Sequence, residues 1–168
     1  MKKSAGLLMY RITPDRQLEV LLAHPGGPFW RGRDEGAWSI PKGEYVDPEP
    51  ALAAACREFA EETGFEVTPP LLPLGDVTQK SGKRISAWAF RGDCDPGQLR
   101  CNTFEAEWPP RSGRRQSFPE IDRVQWFSLP EAHRKLLPAQ CEWLDRLQKA
   151  VAPPSEPGDG RTNGRSSP

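Results

Sequence analysis

The sequence predicts a single α/β (α+β) domain in which a mixed sheet is covered by helices on both faces. Three observations lead to this fold class. The chain has 168 residues, a length that is typical of one domain with its own core. Segments with strand and helix periodicity alternate along it. Several strand segments are apolar at nearly every position, which is typical of strands buried on both faces.

The first elements are two apolar runs at residues 4–12 and 18–24, which the polar stretch TPDRQ joins. This pattern predicts a hairpin of two strands. A loop rich in Gly and Pro follows at residues 25–36. It leads into the short extended piece AWSIP, where Pro41 disfavours helical geometry at Ile40.

A helix is predicted next, with Asp47 as its N-cap and Gly64 in the left-handed position after its last turn. Two prolines in the expected first turn are compatible with this start, because their missing N–H groups have no helical partner there. At helical spacing, the predicted apolar face consists of Leu52, Ala55, Cys56 and Phe59.

The remainder of the chain continues the alternation. Strands are predicted at residues 74–80, 84–92 and 121–129. The stretch 93–119 is rich in Pro, Gly and Arg, and we predict that it is long and irregular. A helix is predicted over 130–151 with a break at Pro138. The tail at 152–168 lacks the apolar content needed to bury surface and is predicted to be disordered, so the domain spans 1–151.

Composition excludes several classes of function. The formal net charge is zero, which gives no basic footprint for stable nucleic-acid binding. Four cysteines without C-x-x-C spacing and only two histidines argue against zinc and favour free thiols in a reducing cytoplasm. Arg11 ends the N-terminal apolar run too early for a signal peptide, and no segment is long enough to span a membrane. A monomer and a homodimer both remain open.

Glu61 and Glu62 follow Glu58 by three and four residues, so a helix places their carboxylates near that of Glu58 on one face. Like charges at this spacing repel each other by a few tenths of a kcal/mol per pair. A solvated helix face is the common explanation of a charged run, and a cation site is the alternative.

The residues around these glutamates favour the cation site. In GEYVDPEPALAAACREFAEETGF, five residues separate Gly43 from Glu49, seven more precede Arg57–Glu58, and Glu61–Glu62 and Gly64 follow. This spacing is the signature of the Nudix hydrolases, and the chain resembles that family over roughly residues 4–150. Phe59 is a mild departure, since the family more often has an aliphatic residue or Thr there, and it concerns packing.

The resemblance implies the Nudix fold with a loop–helix–loop signature segment and a Mg²⁺ site, with Mn²⁺ as an alternative. The implied ligands are the carbonyl of Gly43 and the carboxylates of Glu58, Glu61 and Glu62. Hard carboxylate oxygens are the ligands that these cations prefer. By the same resemblance, Arg57 orients the carboxylates.

The implied reaction is hydrolysis of a pyrophosphate bond in a nucleoside diphosphate derivative, with a carboxylate removing the proton of the attacking water. Glu58 and Glu120 are the two candidates for this base. Nucleoside polyphosphates, either dinucleoside polyphosphates or nucleoside triphosphates, are the leading substrates. ADP-ribose, another nucleoside-diphosphate conjugate, or a non-catalytic nucleotide-binding domain are the alternatives.

Substrate contacts are predicted from charge and aromatic character. Lys42 and the three arginines of one loop could bind phosphates, because guanidinium groups match phosphate oxygens. Trp30 and Trp108 could stack on a base, and we expect their loops to form opposite walls of the cleft. The candidate arginines are Arg111, Arg114 and Arg115. Lys80 and Lys83, which flank the turn before the strand at 84–92, are weaker candidates for phosphate contacts, and surface charge is the favoured interpretation of both.

Overall fold

The structure is a computed structural model that describes residues 2–151. Its strands are β1 (Lys3–Ile12), β2 (Leu18–Pro25), β3 (Lys42–Tyr45), β4 (Leu72–Thr78), β5 (Arg84–Arg91), β6 (Thr103–Glu107), β7 (Arg115–Pro119) and β8 (Ile121–Ser128). Its helices are α1 (Ala51–Thr63), α2 (Leu129–Lys135) and α3 (Glu142–Val151), with 3₁₀ turns at Pro96–Gln98 and Pro138–Gln140. The predicted tail at 152–168 lies outside the described residues.

In the described part of the chain, a mixed six-stranded sheet has the order β4-β5-β1-β2-β8, and β3 pairs with β1 beside this path. β1 runs parallel to β5 and antiparallel to β2 and β3. β3 pairs with Lys3–Gly6 of β1, whereas β2 pairs with Tyr10–Ile12. The predicted hairpin of the first two strands is therefore confirmed.

Both faces of the sheet are covered, as the sequence predicts. Leu7 and Met9 of β1 belong to a core cluster that includes Phe59 of α1. The alternate residue Leu8 belongs to a second cluster that includes Trp143 of α3. Successive side chains of a strand point to opposite faces, so one apolar strand supplies both cores. The predicted fold class, a mixed sheet between helices, is confirmed.

The start of α1 differs from the prediction. The helix begins at Ala51, and its N-cap residue Pro50 makes no side-chain capping hydrogen bond. Asp47 is not the cap, because it lies four residues before the first residue of the helix; its carboxylate accepts a hydrogen bond from Lys3 Nζ at 2.7 Å. At the other end, Gly64 has a φ of 77° and its N–H donates to the carbonyl of Ala60, which confirms the predicted left-handed cap.

The predicted apolar face of α1 is correct only in part. Ala55 and Phe59 are buried, and Cys56 is half-buried. Leu52 is 39% exposed, and Ala54 lies in the core instead. The helix therefore packs on the sheet through small residues and Phe59, which brings its backbone close to β1 and β3.

The stretch 93–119 is not irregular throughout, which corrects the prediction. β6 and β7 form a separate antiparallel pair, in which Phe104 and Phe118 face each other with ring centroids 5.9 Å apart. Most other side chains of this hairpin are exposed. In β6 the order Thr-Phe-Glu-Ala-Glu alternates between exposed and half-buried positions, a period-two signal that its polar composition obscures.

The C-terminal helical segment breaks where the sequence predicts. α2 ends at Lys135, a 3₁₀ turn begins at Pro138, and α3 follows from Glu142. Among residues 2–151, no helix has the length and apolar character needed to cross a membrane.

Candidate active site

A polar cleft lies where α1, β3 and the segment before β8 meet. It is lined by Ser4, Lys42, Gly43, Glu44, Glu58, Glu61, Glu62, Lys83, Asn102 and Glu120. Its volume is about 480 Å³, within the range of small-molecule sites. The structure thus brings all the predicted metal ligands together with both candidate bases and Lys42.

Arg57 holds the carboxylates of α1 in place. Its guanidinium donates two hydrogen bonds to Glu49, at 2.8 and 2.9 Å, and so forms a bidentate pair. The same guanidinium donates to Glu58 at 2.9 Å and to Glu61 at 3.3 Å. These contacts raise the pKa of Arg57, with the bond to Glu49 as the largest cause. Glu49 therefore anchors the arginine that orients two cleft carboxylates.

Glu62 is the carboxylate in the least favourable surroundings. Burial, followed by the charges of Glu58 and Glu120, raises its pKa to about 8, against the opposing effect of Lys42. Burial also raises the pKa of Glu58, against the opposing effect of Arg57. Carboxylates that repel each other while partly desolvated favour a bound cation or a bound proton.

Gly43 provides the space for this arrangement. A Cβ at this position would overlap the carboxylate of Glu58. Glu58 therefore packs directly against the backbone of β3, so a carboxylate and the Gly43 backbone are neighbours in the cleft. A side chain of any size at Gly43 would displace Glu58.

These groups do not form a closed cage. Among residues 2–151, no three Asp, Glu, Cys or His side chains are close enough together to hold a metal ion by themselves. Mg²⁺ usually takes one or two protein carboxylates and keeps waters or substrate phosphates as its other ligands. An open set of carboxylate and carbonyl oxygens therefore fits a hard dication that is shared with a substrate.

Two lysines line the same cleft. Lys42 is half-buried, and burial, followed by the charge of Lys83, lowers its pKa. Lys83 has a side chain that is 23% exposed and lies 3.1 Å from a carboxylate oxygen of Glu44. Lys83, the weaker phosphate candidate, therefore lies in the cleft lining, whereas Lys80 is exposed and is not part of that lining.

Glu120, which directly precedes β8, also lines the cleft. Its N–H donates to the carbonyl of Asn102 at 2.9 Å, and its carbonyl accepts from the N–H of Gly26 at 3.0 Å. The backbone at Glu120 is therefore fixed between two loops while its side chain stays exposed. Glu58 and Glu120 both line the cleft, so geometry leaves both as candidate bases.

The other predicted substrate residues lie outside the cleft lining. Arg111 and Arg114 occupy the exposed turn of the β6–β7 hairpin, and Arg115 pairs with Glu105 at 3.3 Å. These residues, together with Trp30 and Trp108, are not brought up to the carboxylates.

The two loops that carry the tryptophans are in contact with each other. The ring of Trp108 meets that of Phe29 edge to face, with centroids 5.8 Å apart. The sequence predicts that these loops form opposite walls of the cleft, but the contact between Phe29 and Trp108 brings the two loops together at this point.

Three cleft residues carry no role in the sequence analysis, namely Ser4, Glu44 and Asn102, and Lys83 is only a weaker candidate there. None belongs to the recognised spacing, and only strand pairing brings Ser4, Glu44 and Lys83 together. Ser4 lies opposite Glu44 in the pairing of β1 and β3. No local pattern in a single segment reports that neighbourhood.

Comparison with known proteins identifies one family and solved structures of similar fold. A family model described as the NUDIX domain matches residues 3–147. The RNA pyrophosphohydrolase of Rhizobium meliloti (strain 1021) is 28% identical over 116 residues, which cover 60% of this chain and 64% of that protein. The match therefore spans less than two thirds of the relative.

Two solved structures are similar in fold. An Ap4A hydrolase from C. elegans, in a binary complex, has a TM-score of 0.60 at 20% identity, covering 90% of this chain and 98% of that one. The NUDIX domain of Shewanella oneidensis NrtR, complexed with ADP ribose, has a TM-score of 0.60 at 16% identity, covering 89% and 88%. At these identities the likeness shows the fold alone.

Proposed function

The chain belongs to the NUDIX family, and from this premise we propose that it is a hydrolase that cleaves a pyrophosphate bond in a nucleoside polyphosphate. One observation carries the proposal. The carboxylates of α1 line a single polar cleft together with Glu120, Lys42 and Lys83. Oxygen ligands can hold a dication, and ammonium groups can bind phosphates. Both kinds of group suit the cleavage of a polyphosphate.

NUDIX proteins generally use a divalent metal ion such as Mg²⁺, and the residues of this cleft fit one. The Gly43 carbonyl, Glu58, Glu61 and Glu62 would hold the ion, either Mg²⁺ or Mn²⁺. The raised pKa of Glu62 supports this assignment, because a nearby cation would favour its charged form. When bound, the dication supplies charge neutralisation for the phosphates and acidifies the attacking water.

The protein's own groups position the reactants. Arg57 holds Glu58 and Glu61 at fixed angles, so that the carboxylates need no reorganisation when substrate arrives. Either Glu58 or Glu120 takes the proton of the attacking water. Glu120 is the more accessible to solvent, and Glu58 is the more firmly held, because it accepts the 2.9 Å bond from Arg57.

The names of the relatives support the substrate class. The Rhizobium relative is named for pyrophosphate hydrolysis on RNA, and the C. elegans structure for hydrolysis of Ap4A. We propose dinucleoside polyphosphates and nucleoside triphosphates as the first substrates to test. ADP-ribose is the alternative, since the NrtR NUDIX domain is complexed with it. A non-catalytic nucleotide-binding domain is less well supported, because all the glutamates of the signature are present.

The direct test is a panel of nucleotides incubated with Mg²⁺, with products separated by chromatography. The panel contains adenosine triphosphate, diadenosine tetraphosphate, RNA with a 5′-triphosphate end, and ADP-ribose. We expect metal-dependent hydrolysis of at least one polyphosphate and its loss in Glu62→Gln. Nucleotide binding without turnover of any substrate would contradict the enzyme and support the binding domain.

A further inference from the structure

His24, near the end of β2, is a buried histidine that the proposed chemistry does not use. The residue is 1% exposed, and its ring packs edge to face against Trp38 with centroids 5.1 Å apart. Its Nδ1 lies 3.0 Å from a carboxylate oxygen of Asp122, and its Nε2 lies 2.6 Å from the carbonyl oxygen of Arg33. His24 therefore bridges β8 and the loop at residues 25–36.

Both ring nitrogens of His24 must donate a hydrogen bond to form this bridge. Carboxylate and carbonyl oxygens are acceptors only, and a neutral imidazole has just one N–H. The bridge therefore requires the doubly protonated imidazolium, whose charge the Asp122 carboxylate balances. Two further charged groups lie around Trp38: the Arg123 guanidinium is 5.0 Å from its ring centroid, and Asp34 accepts from its Nε1 at 2.9 Å.

The bridge is located at a β-bulge. His24 of β2 is paired with Arg123 of β8. The next pair joins Pro25 to Ile121, so Asp122 is an extra residue of β8. A bulge interrupts the ladder and re-aims nearby side chains, and bulges are common beside active sites. The residue that His24 binds is thus the one at which the two strands change register.

Glu120 lies directly beyond this bulge and lines the cleft. Its carbonyl accepts a hydrogen bond at 3.0 Å from the N–H of Gly26, which follows His24 by two residues. A Cβ at Gly26 would overlap the carbonyl of Pro119, so the two backbones are in close contact there. The position of Glu120 therefore depends on the bulge that His24 and Asp122 hold.

We propose that His24 is a positioning residue for Glu120. Its imidazolium joins the Arg33 carbonyl to Asp122, fixes the bulge, and so sets where the Glu120 carboxylate stands in the cleft. The proposal rests on the proposed function, and it adds that Glu120 takes part in hydrolysis and that its place is set by a residue outside the cleft lining.

The first measurement is independent of activity. NMR of full-length protein with ¹⁵N-labelled histidine should show two ring N–H groups for His24 at neutral pH. The sequence has only two histidines, so His133→Gln assigns the signals. In Asp122→Asn the side-chain amide can donate to Nδ1, so the bridge persists with a neutral ring and one ring N–H should remain. A single ring N–H on His24 of the wild type would overturn the bridge.

The second measurement is a double-mutant cycle on kcat, with a nucleotide that the wild type hydrolyses. We expect kcat to fall by roughly 10- to 100-fold in His24→Gln and in Asp122→Ala, because a displacement of about 1 Å costs up to about 100-fold. In Asp122→Asn, which keeps the bridge, kcat should stay within about threefold of the wild-type value. When added to Glu120→Gln, His24→Gln should cause no further loss, since the group that it positions is already gone.

His133→Gln is the matched control, because it removes the other histidine, whose side chain is 42% exposed, and it should keep the wild-type kcat. Melting temperatures identify any variant that fails to fold. If His24→Gln does not fold, Asp122→Ala takes its place in the cycle, since the Asp122 side chain is 33% exposed. A purely structural role of His24 predicts an additive loss in the double variant. That result, or a wild-type kcat in Glu120→Gln, would overturn the proposal.

The outcomes also separate this positioning role from the proposed function. Hydrolysis of a nucleotide together with an additive cycle supports the enzyme and removes the positioning role. Two ring N–H groups on His24 in a protein that hydrolyses no nucleotide remove the enzyme, and with it the role of Glu120, and leave the bridge as a structural feature.

Discussion

The α1 carboxylate cluster and the β6–β7 hairpin both concentrate charge, and they hold it in different ways. In the cluster, one arginine binds Glu49, Glu58 and Glu61 at once. In the hairpin, Arg115 and Glu105 form a single 3.3 Å pair in which both side chains are 65% exposed. Charges in the first region have fixed positions, whereas those in the second can adjust.

The difference suggests a division of work. Fixed groups in a partly desolvated site stabilise charge without reorganisation, which suits the chemical step. An exposed ion pair contributes about 0–1 kcal/mol, so hairpin arginines can leave their partners for a ligand at little cost. The cluster should therefore govern turnover, and the hairpin should influence only which substrates bind well.

The largest expected effect is on turnover in Glu61→Gln and Glu62→Gln. Each removes a full charge from the proposed metal site, so kcat with saturating Mg²⁺ should fall by several orders of magnitude while the fold is retained. Glu105→Gln is the matched control in the hairpin and should keep wild-type kcat. A kcat within about threefold of the wild-type value in both cluster variants would contradict the proposed metal site.

The second expected effect tests the fixed geometry of the cluster. Arg57→Lys keeps the positive charge and loses the fork that reaches Glu49 and Glu58 together. Groups that orient metal ligands typically contribute 10- to 100-fold, so kcat/KM should fall by about that factor and more Mg²⁺ should be needed for half-maximal rate. Arg84→Lys, at an exposed arginine paired with Asp76, is the control. Equal rates in both variants would show that charge alone matters at Arg57.

The sequence predicts the carboxylate cluster of α1 better than it predicts the β6–β7 hairpin. The positions of Glu58, Glu61 and Glu62 follow from helical spacing, and Gly64 ends the helix as its backbone freedom suggests. The predicted N-cap at Asp47 is wrong, because the helix begins only at Ala51, after Pro50. Local signals therefore locate the helix and its functional face, but not its first residue.

Local sequence patterns do not predict the β6–β7 hairpin or the entry of Lys83 into the cleft. β6 and β7 have a polar composition that is typical of a loop. Phe104 and Phe118 come into contact only when the two strands pair. Lys83 enters the cleft because β5 lies beside β1 with Ile85 opposite Ser4. Such placements depend on which strands become neighbours, and a single sequence leaves that register open.

A third, smaller effect tests the hairpin as a recognition element. Alanine at Arg111, Arg114 or Arg115 should lower kcat/KM by roughly tenfold for diadenosine tetraphosphate, because one charge-assisted contact to a distal phosphate is lost. ADP-ribose, with only two phosphates, should be affected less. Trp30→Ala and Trp108→Ala are assayed on the same substrates to locate a base. If all five variants leave every kcat/KM unchanged, the hairpin and its neighbouring loop have only a structural role.

The smallest expected effect is on stability, and it compares one half-buried carboxylate with one exposed carboxylate in metal-free protein. Glu62 has its pKa raised from the ordinary value of 4.5 to about 8 by burial and by nearby glutamates. The folded state therefore binds a proton that the unfolded state releases, and stability falls as pH rises from about 4.5 to about 8. Glu62→Gln removes this loss, so with a chelator its Tm should equal that of the wild type at pH 4.5 and exceed it by a few degrees at pH 8.5.

Saturating Mg²⁺ should reduce or reverse this difference, since a cation that binds the folded wild type stabilises it selectively. Glu105→Gln should leave Tm unchanged at both pH values, because an exposed ion pair contributes little. The measurement is a thermal melt of the three proteins at each pH, with chelator and with Mg²⁺. A Tm difference between Glu62→Gln and the wild type that is the same at both pH values would contradict the raised pKa of Glu62.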